Sequence, residues 1–327
     1  MEVRTPAVSG TFYPSDEKEL KNLIHECFLH ELGPGKMPPT HSDQKIYGVI
    51  CPHAGFVYSG PVACHSFYSI SSLASKLAII TGPNHYGIGQ NVASMVDSSW
   101  KTPLGLVEVD SESALELRED LDILELDSFS HSKEHSIEVQ IPMLQETFPN
   151  EMKILPVSLI TQEQKTATKV GSAIAKLAIK KDALLIGSSD FTHYEENGFA
   201  HKQDMALIEP ILKLDVDEFY KILYERNVTA CGFGAIASTM IACKELGATE
   251  GKLLKYATSG DISGDKSSVV GYASIIFVLS FGIREVFVFA VIAMMLIIAT
   301  ANTIMAIVPN SGTTWLPTIS IFSVPAT

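Results

Sequence analysis

The chain has 327 residues, enough for one large domain or two medium ones. Apolar residues make up 46% and charged residues 19%, so a substantial hydrophobic core can form. The net charge of −13 argues against a nucleic-acid partner, because phosphate binding needs a basic footprint.

Pro14-Ser15-Asp16 ahead of Glu17-Lys18-Glu19-Leu20 reads as a helix start, with Ser15 or Asp16 as cap and acidic residues in the first turn. Leu20, Leu23, Ile24, Cys27 and Phe28 keep helical spacing and carry this helix towards His30. A Pro/Gly-rich loop follows over 33–42. Buried strands are predicted at 45–51, 76–81, 153–159 and 183–188, and alternating strands at 91–96 and 106–109 around a turn over 101–105. Helices are predicted at 61–69, 111–120, 137–147, 161–180, 201–212, 216–226 and 234–246. Strands at 253–258 and 268–280 close the pattern. Strands alternating with helices favour an α/β sandwich-like domain with a mostly parallel or mixed sheet.

The end of the chain differs. Residues 286–308 carry no charge and are mostly Val, Ile, Phe, Met and Ala. A bilayer core takes roughly 20 apolar residues in helix, so this run is expected to span a membrane. Pro309-Asn310-Ser311-Gly312 would end the helix. The expected organisation is an α/β domain over 1–282, a transmembrane helix over 283–308 and a short uncharged tail over 309–327. Lys266 and Arg284 precede the run and no Lys or Arg follows it, which places the main domain in the cytoplasm, anchored through 286–308. Five cysteines without regular spacing make a poor disulfide framework and fit a reducing compartment.

Four chain-distant spots carry metal-loving side chains where a strand ends or a helix begins. They are Cys51-Pro52-His53-Ala54-Gly55, Gly82-Pro83-Asn84-His85, Ser188-Ser189-Asp190-Phe191-Thr192-His193 and Ala230-Cys231-Gly232-Phe233-Gly234. In open α/β sheets ligands bind outside the carboxyl ends of the strands, so these spots can meet in one pocket. His53, His85, Cys231, Asp190 and His193 would then make a mononuclear metal site. Cys231 stands at a helix start, where a thiolate is favoured. Asp190 and His193 can ligate a metal, or His193 can act as general acid and base. Glu134-His135-Ser136-Ile137-Glu138 is a further polar cluster, with His135 a candidate site residue. Ser130, Ser132 and Lys133 suggest a solvated loop around His131, and His65 is expected to pack. There is no P-loop, no GxGxxG after a strand and no GxSxG elbow.

These motifs resemble the Memo family, called AmmeMemoRadiSam system protein B in microbes. Matching segments run in order from Arg4-Thr5-Pro6-Ala7-Val8-Ser9-Gly10-Thr11-Phe12-Tyr13-Pro14, through Pro52-His53-Ala54-Gly55 with Tyr58-Ser59-Gly60 and Gly82-Pro83-Asn84-His85, to Thr102-Pro103-Leu104-Gly105. They continue with Glu134-His135-Ser136-Ile137-Glu138, Ser188-Ser189-Asp190-Phe191-Thr192-His193 and Cys231-Gly232. The resemblance covers residues 1 to 280. It implies a class III extradiol dioxygenase-like sandwich with a mixed central sheet. It also implies one metal ion, iron or copper, on His53, His85 and Cys231, with catalytic positions at His193, Asp190 and His135. A thiolate in place of the dioxygenases' carboxylate shifts the preference towards thiophilic metals. The implied function is metal binding with redox or dioxygenase-like activity, in a system with radical-SAM and AMMECR1-like partners. The alternatives are a non-catalytic peptide- or partner-binding module and a copper- or iron-handling protein.

Overall fold

A computed structural model describes residues 2–39, 44–148 and 152–280. In chain order they form β1 (Glu2–Arg4), α1 (Glu17–Leu29), β2 (Ile46–Cys51), α2 (Phe56–Ile70), β3 (Leu77–Pro83), β4 (Val92–Ser94), β5 (Ser98–Thr102), β6 (Gly105–Glu108), α3 (Ser111–Asp120) and β7 (Glu125–Leu126). A short 3-10 turn (Ser128–His131) leads to α4 (Gln140–Thr147), β8 (Lys153–Leu159), α5 (Gln164–Lys181), β9 (Leu184–Ser188), β10 (His193–Glu195), α6 (Asn197–Leu212) and α7 (Val216–Glu225). The domain closes with α8 (Phe233–Glu245), β11 (Glu250–Thr258), α9 (Ser259–Ser263) and β12 (Val269–Val278).

Local chemistry accounts for most of these boundaries. The Asp16 side chain accepts from Glu19 N and starts α1, with Glu17 and Glu19 favourably placed in its first turn. Asp110 caps α3 in the same way by accepting from Ser113 N. Helix α2 begins at Phe56, ahead of the predicted start at Pro61. Phe56 N donates to Phe12 O, so the N-terminal segment supplies an acceptor that sequence periodicity cannot show. Strand β5 was predicted in part as a turn; its Ser98, Ser99, Trp100 and Thr102 are buried because β1 pairs alongside in parallel.

The main sheet has nine strands in the order β10-β12-β2-β9-β3-β8-β4-β7, with β11 paired to β12. Its centre, β2-β9-β3-β8, is parallel, while β12 meets β2, β10 and β11 in antiparallel fashion and β4 meets β8 likewise. A second sheet joins β1, β5 and β6. Every residue of β3 is buried, as expected of a parallel strand covered on both faces. One core holds Leu155, Val170, Ile174, Leu185, Ile236 and Met240 on the side of α5 and α8. The other holds Leu20, Phe28, Val49, Phe67, Ile80 and Ile141 on the side of α1, α2 and α4. In register, Cys51 of β2 stands beside Ser188 of β9, and Thr81 of β3 beside Gly187. The carboxyl ends of β2, β9 and β3 therefore finish side by side, and the segments after them open on one end of the sheet.

Two expectations are corrected. The fold class was expected to be a class III extradiol dioxygenase-like sandwich plus a C-terminal transmembrane helix. The structure is mixed α/β with a large mixed sheet, and among the described residues no helix is long and apolar enough to cross a membrane. The span expected at 286–308 lies outside the described residues, and membrane anchoring drops out of the account.

The second correction concerns His131, which sits in no solvated loop. It is fully buried, edge-on to Trp100 at 5.8 Å between ring centroids, and neither ring nitrogen has a hydrogen-bond partner. The neighbouring Ser130 is buried as well. Burial first, and then the charge of Arg4, push the His131 imidazole down to about 3. A folded-state value below the unfolded one makes His131 destabilising in acid, because only the unfolded chain takes up its proton below about 6.5. His131→Leu is therefore expected to flatten the fall in stability between pH 6 and 4, by up to about 1.4 kcal/mol per pH unit. Urea unfolding of both proteins across this range checks it; parallel curves would remove His131 from the acid response.

Candidate metal centre

His53 follows β2, and its backbone N donates to Asp190 Oδ1 at 2.8 Å. Its Nδ1 faces Ser188 Oγ at 2.9 Å. His85 follows β3 in a tight turn set by Asn84, whose Oδ1 accepts from Tyr86 N and Gly87 N. The Asn84 Nδ2 donates to Ile88 O and Ser130 O, which pins the turn to the segment before α4. The His85 Nδ1 donates to Glu134 Oε1 at 2.9 Å. His135 lies in the segment ahead of α4, with its Nδ1 3.5 Å from the same carboxylate oxygen.

The three imidazoles meet. Ring centroids are 5.2 Å apart for His53 and His85, 5.6 Å for His53 and His135, and 4.6 Å for the stacked pair His85 and His135. One ligand nitrogen from each lies within 4.8 Å of the other two, a spacing that one ion can bridge. His53 and His85 each have Nδ1 turned to a protein oxygen, as metal-binding histidines usually do. His53 is buried, His135 half-buried and His85 exposed, so the group is open on one side.

Electrostatics prepare the group for a cation. Burial, and then the neighbouring His135 and His85, push the His53 imidazole well down. Burial likewise brings His135 down to about 4. Both rings are neutral at pH 7, the form that ligates metal. Burial alone would raise Glu134, but the hydrogen bond and charge of His85, the charge of His135 and the Ser136 N–H outweigh it and hold the carboxyl down to about 2. A buried carboxylate thus stands behind His85 and His135.

Cys231 sits ahead of α8, with its Sγ 3.1 Å from His53 Nε2. Metal bonds of about 2.0–2.1 Å to nitrogen and about 2.3 Å to sulfur let one ion touch both atoms. Asp190 N donates to the sulfur at 3.3 Å, and Gln162 fixes the loop by donating to Cys231 O and accepting from Gly234 N. Gly232 packs against Ser188 O and Ser189, where a Cβ has no room. Burial, and then the charge of Asp190, push the thiol well up, so it is protonated until a cation displaces the proton. Asp190 itself is buried and raised by burial to about 6, against the opposing His53 N–H. His193 is half-buried at the start of β10, and its Nδ1 faces Thr229 O at 2.9 Å. Its charge bears on both His53 and Asp190, but it is not one of the clustered imidazoles.

The structure thus brings His53, His85 and His135 together, sets Cys231 against His53, and lays Asp190 beneath the His53 backbone. Sequence reasoning passed over Glu134, which accepts from His85 N and Nδ1, His135 N and Ser136 N. Its signal was an acidic residue directly beside a candidate histidine. It also passed over Asp204 of α6. This buried carboxylate accepts from Thr192 N, Thr192 Oγ1 and Tyr256 OH, and so holds the loop between Asp190 and His193. No local motif marks Asp204, because its partners lie on another loop and another strand.

Residues 4–276 match the family model described as Memo-like protein. A MEMO1 family protein of Nitrosopumilus maritimus is 55% identical over 276 residues, covering 84% of this chain and 100% of its own. Another from Methanopyrus kandleri is 46% identical over 278 residues, covering 84% of this chain and 98% of its own. One from Methanothermobacter thermautotrophicus is 46% identical over 276 residues, covering 83% and 99%. A solved structure of an uncharacterized protein from Escherichia coli K12 aligns at a TM-score of 0.49 with 10% identity, over 71% of this chain and 99% of that one. That likeness is too distant to bear on function. The family match and these relatives span the whole α/β domain, and the chain belongs to the Memo-like protein family.

Proposed function

We propose that this protein holds one redox-active metal ion, iron or copper, on His53, His85 and His135, with the sulfur of Cys231 as a further donor. The observation that carries the reading is the convergence of three imidazole nitrogens within 4.8 Å of one another. The donor set fits such an ion: imidazole suits iron and copper, and a thiolate favours thiophilic metals. When bound, the ion would supply Lewis-acid or redox chemistry at the open side of the group. Asp190 and His193 are the acid and base candidates beside it. An Asp190 carboxyl poised near 6 can hold or release a proton close to neutral pH. His135, expected to be catalytic, is assigned to the ligand set instead, because its ring stacks on His85 over the shared Glu134. Free thiols at all five cysteines fit a reducing cytoplasm. The radical-SAM and AMMECR1-like partners belong to the same proposal and rest on the family resemblance.

A second reading is metal handling, in which the ion is stored or passed on. It is favoured by the His85 side chain, 30% exposed, which leaves a route for exchange. The test is anaerobic purification and elemental analysis of the wild type and of His53→Ala, His85→Ala, His135→Ala and Cys231→Ala. The wild type is expected to carry one ion per chain, and each histidine variant to lose most of it. Oxygen uptake with catechols then separates catalysis from handling. A wild type free of iron and copper after metal-replete growth, or histidine variants that keep the full complement, would defeat the proposal.

A further inference from the structure

We propose that Ser188, braced by Gln140, is a positioning residue that commits His53 to the tautomer protonated on Nδ1. The argument is a count of donors. Ser188 Oγ has three polar partners: Ser136 O at 2.7 Å, Gln140 Nε2 at 2.8 Å and His53 Nδ1 at 2.9 Å. A hydroxyl donates once and accepts twice. The Ser136 carbonyl can only accept, so it takes the hydroxyl proton.

Gln140 can only donate to the serine. Its nitrogen is identified by its second contact, to Pro52 O at 3.0 Å, since a carbonyl there would reject the amide oxygen. One lone pair of Ser188 is therefore filled by Gln140. The other faces His53 Nδ1, which must carry a proton to bond with it. All four groups are buried, so water does not relieve the count. The lone pair of His53 is left on Nε2, the atom 3.1 Å from Cys231 Sγ. With Nε2 as acceptor, the thiol is the donor in that contact.

This arrangement differs from that of His85, where a carboxylate receives the Nδ1 proton. A neutral hydroxyl does the same for His53 without adding a second charge to a fully buried position. Gln140 opens α4, and Ser188 is the last residue of β9. The tautomer is thereby set by two regular elements rather than by a loop.

The inference rests on the metal-site reading only for its consequence, since the tautomer exists in the metal-free protein. Long-range proton–nitrogen correlation spectra of the full chain, labelled with 15N-histidine and stripped of metal, report the tautomer directly. The His53 signals are assigned by their loss in His53→Gln. The expected result is the Nδ1-protonated form in the wild type, with Ser188→Ala shifting to the Nε2-protonated form or to a mixture. Titration with ferrous iron without oxygen should show affinity about 10–100-fold weaker in Ser188→Ala, the usual effect of losing an outer-shell partner. An Nε2-protonated His53 in the wild type overturns the proposal, and this spectrum decides even if the variant does not fold. An unchanged tautomer in a folded Ser188→Ala overturns it too. A tautomer shift in a protein that binds no iron or copper upholds the role of Ser188 and refutes the metal reading instead.

Discussion

Glu134→Gln is expected to weaken metal binding by about 10–100-fold, and Glu134→Ala by more. The reason lies in what the carboxylate receives. Its Oε1 accepts from His85 Nδ1, His135 N and Ser136 N, and its Oε2 accepts from His85 N. All four partners are donors. A glutamine keeps one accepting oxygen and sets an NH2 group against at least one N–H. Its best orientation keeps the three bonds of the Oε1 side and opposes His85 N, which loosens the residue that carries the ligand. The buried negative charge behind the ion is lost as well. Alanine leaves all four donors unpaired, and each unpaired buried donor costs about 1–3 kcal/mol.

Competition with a chelator of known affinity measures the loss, and thermal unfolding in the metal-free state shows how much is structural. Affinity unchanged in a folded Glu134→Gln would mean that the two histidines are positioned by packing alone. The pH dependence follows the same group. Its folded-state value of about 2 lies below the ordinary 4.5. The stabilisation from ionised Glu134 is therefore complete above 4.5 and disappears as pH falls through 2.

How far the site is legible in the sequence depends on how local each signal is. His53 and His85 each follow an apolar run that ends in a Pro/Gly turn, and those runs are the central strands β2 and β3. Their meeting follows from topology, because parallel neighbours finish at the same end of the sheet. Cys231 announced itself by standing at a helix start. His135 is legible as a site residue, but its meeting with His53 and His85 is not. Its sequence neighbours are mostly polar, yet Glu134, Ser136 and Glu138 are all buried. Polar residues buried in this way are indistinguishable from solvated ones until their partners are known, and those partners lie far away in the chain. The solvated loop expected around His131 fails for the same reason. The fold itself was more readable, since buried parallel strands write continuous apolar runs. The errors fall where a distant segment supplies a missing partner, as Phe12 does for α2 and β1 for β5.

Arg4→Met is expected to destabilise the protein by about 3–5 kcal/mol, the usual effect of removing one partner of a buried ion pair. Arg4 and Glu138 have side chains 5% and 1% exposed and meet at 2.6 Å. Glu138 also accepts from Ala7 N, Val8 N and Tyr13 OH, so it cannot turn to solvent when Arg4 is lost. The guanidinium lies over the Trp100 ring at 4.0 Å, and methionine replaces only part of that packing. Arg4 further donates to His131 O and Glu134 O, which tie the last residue of β1 to the segment carrying Glu134 and His135. The same substitution should therefore weaken metal binding, although Arg4 touches no candidate ligand. Adding Glu138→Gln removes the stranded charge, so the double variant should be more stable than the sum of the single losses, with a coupling of about 2–3 kcal/mol. Urea unfolding of the four proteins supplies the cycle. Strict additivity would show that Arg4 acts through Trp100 and the carbonyls of the segment, and that its pairing with Glu138 is energetically neutral.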